Sequence, residues 1–293
     1  MRRLGLGLGL LAALTLTLPV VLAGCGSAAT ASTDASTTPS PSPSAAHFQP
    51  STYMKTVGII GGISWASTVT YYRLLNEWAL GRFGTDSSVP ILMYSIPFGD
   101  FAKQEMLADK GDWKPLDATM VDAAKRLEAG GADFIIIASN TMNSTGDLIE
   151  QNVSIPVMRI EDCVGRDVKE RGLTTVALLG TKYTMEEPFY RDRLRKYGFK
   201  VVIPNLKERD YINAAIFDRL CNNEIFPEDR RHFQRIIERL VKEEGAQGVI
   251  LGCTEIPLLI KQKDVSVHAF DSTALHAYEA FSYACGDQGA LVP

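Results

Sequence analysis

Two apolar runs in this chain end in polar residues that packing does not require. Ser139-Asn140-Thr141 follows the run 134–138, and Cys253-Thr254-Glu255 follows the run 249–252. A thiol has an ordinary pKa of about 8.5, and the amides of a strand-to-helix turn can bring it toward neutrality. On that basis Cys253 is a candidate proton-transferring base. A buried small apolar residue is the other reading of Cys253 taken alone; Thr254 and Glu255 beside it favour chemistry.

Other chemistries find less support. A Ser-His-Asp hydrolase is disfavoured because no Gly-x-Ser-x-Gly elbow is present and His47, His232, His268 and His276 have no partner motif. The glycines at 58, 61 and 62 do not form Gly-x-Gly-x-x-Gly, and no acidic residue stands at the ribose-binding distance, so a dinucleotide site is rejected. The cysteines at 25, 163, 221, 253 and 285 show no Cys-x-x-Cys spacing, which removes a zinc site and a disulfide scaffold. No metal and no cofactor is expected. Cys163, Cys221 and Cys285 lie in helical patterns and are expected to be buried neutral thiols. With 30 basic against 34 acidic residues and a net charge of -4, nothing points to nucleic acid as a partner.

The strand ends need elements to present them. From Lys55 onward, β-branched runs ending in Gly alternate with longer amphipathic stretches, the mark of a parallel α/β architecture. Thr56-Val57-Gly58-Ile59-Ile60-Gly61-Gly62 has the same grammar as Thr175-Val176-Ala177-Leu178-Leu179-Gly180-Thr181, and the run 131–141 matches 245–255. The chain therefore reads as a duplication, with Ser139 equivalent to Cys253. Ligands of open α/β sheets bind beyond the carboxyl ends of the strands, so two related halves facing each other would place both residues in one cleft.

The amino terminus has a different character. Arg2 and Arg3 precede an uncharged stretch from Leu4 to Leu22, so 1–24 is expected to be a secretory signal. It ends in Leu22-Ala23-Gly24-Cys25, which resembles the bacterial lipoprotein box. That resemblance implies cleavage before Cys25, lipid attachment to its thiol, and a membrane partner through that lipid. The segment 25–52 is almost entirely Ser, Thr, Ala and Pro and is expected to be a disordered tether. The folded part would start at Tyr53, exported and held at the cell membrane. An exported, oxidising location is awkward for a free reactive thiol.

Four spaced motifs resemble the Asp/Glu/hydantoin racemase superfamily: Gly61-Gly62-Ile63-Ser64-Trp65-Ala66-Ser67-Thr68, Ser139-Asn140-Thr141-Met142, Leu179-Gly180-Thr181 with Tyr183-Thr184-Met185, and Gly252-Cys253-Thr254-Glu255-Ile256-Pro257. The resemblance covers about 55–284. It implies two pseudo-symmetric Rossmann-like, flavodoxin-like halves: 53–155 plus 266–286 for the first, and 156–265 for the second. It also implies an active site in the cleft between them, often a homodimer, and cofactor-independent racemisation of an amino acid by two facing cysteines.

Here the first of those cysteines falls on Ser139 and the second on Cys253, and the His that closes the first motif falls on Asn143. The branch with a Thr in place of the first thiol is the most similar. An alcohol is a far weaker acid than a thiol, so Ser139 is expected to return a proton to the carbanion that Cys253 thiolate generates. Ser64, Asn140, Thr141, Thr181 and Thr254 are the implied substrate-binding residues. Glu255 is grouped with them, either supporting the thiol or standing outside the pocket. The Lys and Arg associated with aspartate's side-chain carboxylate fall on Cys221 and on the segment 96–101, which lacks a cation, so the substrate range stays open. Two alternatives also stay open: a lipid-anchored amino-acid-binding protein that has lost catalysis, and a one-thiol decarboxylase of the same superfamily.

Overall fold

The computed structural model describes residues 54–287. The expected signal at 1–24, Cys25, the expected tether and Tyr53 lie outside them. Among the described residues no helix is long and apolar enough to cross a membrane.

Strands β1 (Val57–Gly61), β2 (Ile91–Ser95), β3 (Phe134–Ile137) and β4 (Val157–Met158) form a parallel sheet in the order β2-β1-β3-β4. Strands β5 (Thr175–Gly180), β6 (Lys200–Val202), β7 (Gly248–Gly252) and β8 (His268–Asp271) form a second one in the order β6-β5-β7-β8. Parallel neighbours need crossovers. In the first half these are α1 (Trp65–Phe83), α2 (Phe98–Ala108), α3 (Lys114–Ala129) and α4 (Gly146–Glu150), and α5 (Ile160–Glu170) leads into the second. There α6 (Lys182–Glu186), α7 (Pro188–Arg195), α8 (Leu206–Asp218), α9 (Pro227–Glu244) and α10 (Ile256–Leu259) follow, and α11 (Ser272–Ala284) is the last element among the described residues.

The identical strand order is what a duplication requires, and the registers match. Ile60 lies between Tyr94 and Ile137, and Leu179 is opposite Leu251. Continuous apolar strands mean that both faces of each sheet are covered. Ile59, Phe134 and Ile136 pack into one layer of the first half, and Ile60, Ile135 and Ile137 into the other. In the second half Leu179, Val249 and Leu251 face one layer while Val176, Leu178 and Ile250 face the other.

The halves exchange chain at two points that differ from the expected bounds. β4 pairs with β3, so the first sheet extends to Met158 rather than stopping at 155. β8 pairs with β7, so the second sheet runs to Asp271 rather than 265. Only α11 then returns to the first half, where Ala277, Ala280 and Phe281 pack with Tyr71, Leu75 and Ala79 of α1. The short, half-polar β8 has little apolar pattern of its own, and its membership is decided by pairing.

His276 fixes that return. It is fully buried on α11, its Nε2 donates to the carbonyl oxygen of Met158 at 3.0 Å, and its Nδ1 accepts from the Tyr71 hydroxyl at 2.8 Å. Burial pushes its pKa down to about 4, so the ring is neutral. His276→Phe should strand a buried carbonyl and a buried hydroxyl and destabilise the fold by about 2–4 kcal/mol at pH 7. Because the folded ring refuses a proton that the unfolded chain accepts below its ordinary pKa of about 6.5, wild type loses stability as pH falls from there toward 4. Urea unfolding should show the gap between wild type and variant narrowing by roughly 2–3 kcal/mol between pH 7 and pH 4.5; a gap independent of pH would contradict the neutral, doubly bonded ring.

Candidate active site

The first wall of the site is the turn from β1 into α1. Gly62 has φ +84, and a Cβ there would lie 2.3 Å from the carbonyl oxygen of Ile96, so this glycine serves a close backbone approach. The Gly62 amide donates to the Thr68 hydroxyl at 2.9 Å, which itself donates to the Ser64 carbonyl at 2.9 Å. Ser64 is the N-cap of α1, its Oγ accepting the Ser67 amide at 3.3 Å. A serine explained by capping also faces the opposite half, because Ser64 Oγ donates to Glu255 Oε1 at 3.3 Å.

Glu255 follows β7 and is 6% exposed. Cys253 Sγ donates to its Oε2 at 2.9 Å and Thr254 Oγ1 donates to the same oxygen at 2.6 Å. Ser67 Oγ lies 2.5 Å from Thr254 Oγ1 and 3.3 Å from Glu255 Oε1. Since Thr254 gives its only proton to Glu255, the short contact has Ser67 donating to Thr254. The Ser64 hydroxyl at the start of α1 and the Cys253 thiol and Thr254 hydroxyl after β7 thus satisfy one buried carboxylate, and the positive end of α1 favours it electrostatically.

The thiol is held differently from the sequence expectation. Burial, and then the neighbouring Glu255 charge, raise the Cys253 pKa well above its ordinary value instead of bringing it toward neutrality. The helix expected to supply amide stabilisation, α10, is a single turn that begins after Glu255, and the carboxylate reaches the thiol first.

The second wall follows β3. Ser139 Oγ accepts the Met142 amide at 3.3 Å, and its carbonyl accepts from Asn143 Nδ2 at 2.7 Å. Asn143 is fully buried, its Oδ1 accepts the Ile160 amide at 3.2 Å, and its carbonyl accepts from Arg159 Nη2 at 2.6 Å. The residue at the motif His position is therefore a brace for the Ser139 turn. Asn140 is 4% exposed. Its Oδ1 accepts from Tyr190 at 3.2 Å, which leaves the buried Nδ2 without a partner among the described residues.

A triangle of threonines closes the far side. Thr181 caps α6, and the Thr141, Thr181 and Thr184 hydroxyls lie 3.0–3.2 Å from one another across the two halves. The turn after β1 thus meets the turn after β7, and the turn after β3 meets the turn after β5. Ser64, Ser139, Asn140, Thr141, Thr181, Cys253, Thr254 and Glu255 all line one cavity of about 400 Å³.

Sequence reading pointed to Cys221 and the segment 96–101 through the family resemblance and missed the rest of this cavity's side wall. Phe98 and Glu105 of α2, Ile216 and Phe217 of α8, and Cys221 in the turn after it line the same space, as does the exposed Trp65. Cys221 is exposed, not the buried thiol expected, and Cys285 caps α11 half-buried; Cys163 alone is buried as expected. Glu105 had a readable signal, since it stands at helical spacing with the buried Phe101 and Ala108. No histidine lines the cavity: His232 stacks on Tyr211 and His268 meets Phe270 edge-on. Among the described residues no group of three or more His, Cys, Asp or Glu side chains could hold a metal ion.

Comparison with known proteins matches this architecture. The family model for Asp/Glu/Hydantoin racemase matches residues 60–280. A crystal structure from Yersinia pestis, assigned as an Asp/Glu racemase, is 40% identical with a TM-score of 0.73 and covers 79% of this chain and 99% of that one. An aspartate racemase homologue from Pyrococcus horikoshii OT3 is 37% identical with a TM-score of 0.70, over 79% and 99% of the two chains. The broad specificity amino-acid racemase RacX of Bacillus subtilis is 22% identical over 231 residues, which is 77% of this chain and 96% of RacX. On the breadth of that match and the 40% identity, the chain belongs to the Asp/Glu/Hydantoin racemase family.

Proposed function

We propose that this protein is an amino-acid racemase that needs no cofactor and exchanges the α-proton of its substrate between Cys253 and Ser139. The observation that carries the reading is the presence of both residues in one cavity, at the ends of equivalent strands, beside the unpartnered Nδ2 of Asn140. The relatives named for racemase activity support it.

In the proposed reaction the substrate carboxylate takes hydrogen bonds from Asn140 Nδ2 and from hydroxyls of the Thr141, Thr181 and Ser64 turns. Cys253 passes its proton along the existing 2.9 Å hydrogen bond to Glu255 and becomes a thiolate. The α C–H bond breaks and an S–H bond forms. Ser139 then gives its hydroxyl proton to the carbanion on the opposite face and recovers one from solvent, while Glu255 releases to solvent the proton it took from Cys253. Glu255 begins as the anion that suppresses the thiolate and ends as the acid that permits it.

An alcohol and a thiol differ in acidity by several orders of magnitude, so kcat and KM differ between the two directions while their ratio kcat/KM is the same in both. Equilibrium stays at equal enantiomers, which have equal free energy in water.

The direct test is NMR of α-deuterium uptake in deuterium oxide with L- and D-amino acids. Uptake should be seen with wild type and vanish in Cys253→Ala. No uptake with any amino acid, together with retained binding, would make the protein an amino-acid-binding relative, and release of carbon dioxide would make it a decarboxylase. Ser139→Cys should accelerate the slower of the two directions by about tenfold or more, because a thiol both gives and takes a proton readily; unchanged rates in both directions would remove Ser139 from the reaction.

Glu255→Gln separates two effects of one carboxylate. Losing the negative charge should lower the Cys253 pKa, so iodoacetamide labels that residue faster at pH 8, as read by mass spectrometry. Losing the proton acceptor should slow α-exchange on the order of 100-fold. If labelling and exchange rise together, Glu255 only restrains the thiol.

A further inference from the structure

The cavity has a reacting floor of strand-end residues and a side wall drawn from helices of both halves. Its charged lining residues are Glu105 and Glu255, both acidic, and no Lys, Arg or His lines it. Glu255 is occupied by the thiol and hydroxyls around it. Glu105 is not: it is half-buried at the wall and its carboxylate makes no hydrogen bond or ion pair among the described residues. Burial and the nearby Asp109 push its pKa up to about 7, the mark of a carboxylate that lacks a cation.

The surfaces next to Glu105 are apolar. Phe98 and Phe217 are each more than half exposed and face the same cavity, and Cys221 completes the wall. A second cavity of about 530 Å³ shares Glu105 and Phe217 with the first, so the wall is bordered by space on both sides. Its cation, Lys182, is already paired with Asp210 at 2.8 Å. A substrate bearing a second carboxylate would meet two carboxylates and no free positive charge here. A methylene stem ending in an ammonium or guanidinium would cover the aromatic faces and supply the counter-charge that Glu105 lacks.

We propose that Phe98, Glu105, Phe217 and Cys221 form the side-chain subsite of this site and that it selects amino acids with an alkyl stem ending in a cation over dicarboxylic ones. The assignment rests on the racemase reading above. Discrimination comes from attraction at Glu105 and from repulsion of a second carboxylate by the same residue.

The test is α-deuterium exchange by the purified chain with L-lysine, L-ornithine, L-arginine, L-leucine, L-aspartate and L-glutamate, each followed separately, in wild type, Glu105→Gln and Glu105→Arg. Wild type should exchange the three basic amino acids with higher kcat/KM than the two acidic ones. Glu105→Gln should lower the lysine-to-leucine ratio of kcat/KM on the order of tenfold, mostly through KM, as loss of one charge-assisted contact implies. Glu105→Arg should turn the lysine-to-glutamate preference toward glutamate. A wild-type preference for aspartate or glutamate, or ratios that both variants leave unmoved, would overturn the subsite while leaving the racemase reading standing. Absence of exchange with every amino acid would remove the racemase reading and this assignment with it.

Discussion

Glu255 carries a carboxylate that is 6% exposed in a cavity without a lining cation, and the surroundings are built to tolerate it. A buried charge with no partner is costly, and the usual remedy of an arginine or lysine is absent from this lining. The remedy here is hydrogen bonding from Ser64, Cys253 and Thr254, with Ser67 donating to Thr254 behind it. Two of those residues come from the start of α1 in the first half and two from the end of β7 in the second. The carboxylate therefore ties the halves together at the point where the thiol sits, and its charge adds to burial in holding the proton on that thiol. Structure and chemistry cannot be separated at this residue, which is why its variant is expected to move thiol reactivity and exchange in opposite senses.

The duplication explains why such a junction exists. Equivalent strands end at equivalent heights in the two sheets, so each half offers one turn after its first strand and one after its third. Crossing them brings a first-type turn of one half against a third-type turn of the other, twice over. One crossing became the Glu255 cluster and the other the threonine triangle, where hydroxyls alone suffice because no charge is buried. α11 reinforces the pairing from behind, since it follows a strand of the second sheet and packs on a helix of the first.

Much of this was legible in the sequence because strand-end polarity is a local signal. Ser139, Asn140 and Thr141, and Cys253, Thr254 and Glu255, interrupt apolar runs where packing alone would continue them, and all six reach the cavity. The side wall was not legible in the same way. Phe98, Glu105, Phe217 and Cys221 come from helices and a turn whose faces are chosen by tertiary packing; the resemblance pointed to Cys221 and to the segment that holds Phe98, while Glu105 showed only as a carboxylate at helical spacing with the buried face of α2. The ends of the halves were misplaced by a few residues because β4 and β8 are too short to show a pattern. The Cys253 environment was misjudged for a physical reason: the sequence shows a turn that could lower a thiol pKa, but not that the carboxylate two residues on folds back to accept the thiol proton.

A neutral thiol and a neutral hydroxyl facing one substrate would make poor bases if each acted alone, since neither is ionised at rest. In the proposed reaction the base is stored as Glu255 rather than as the thiolate. Moving a proton from Cys253 to Glu255 leaves the net charge of the floor unchanged, so the thiolate can form without a proton leaving for solvent and without a cation to stabilise it. A resting thiolate would also be the form most open to oxidation. Keeping the proton on sulfur until a substrate arrives protects the residue on which the proposed chemistry depends, and in an oxidising location that protection would matter as much as the rate.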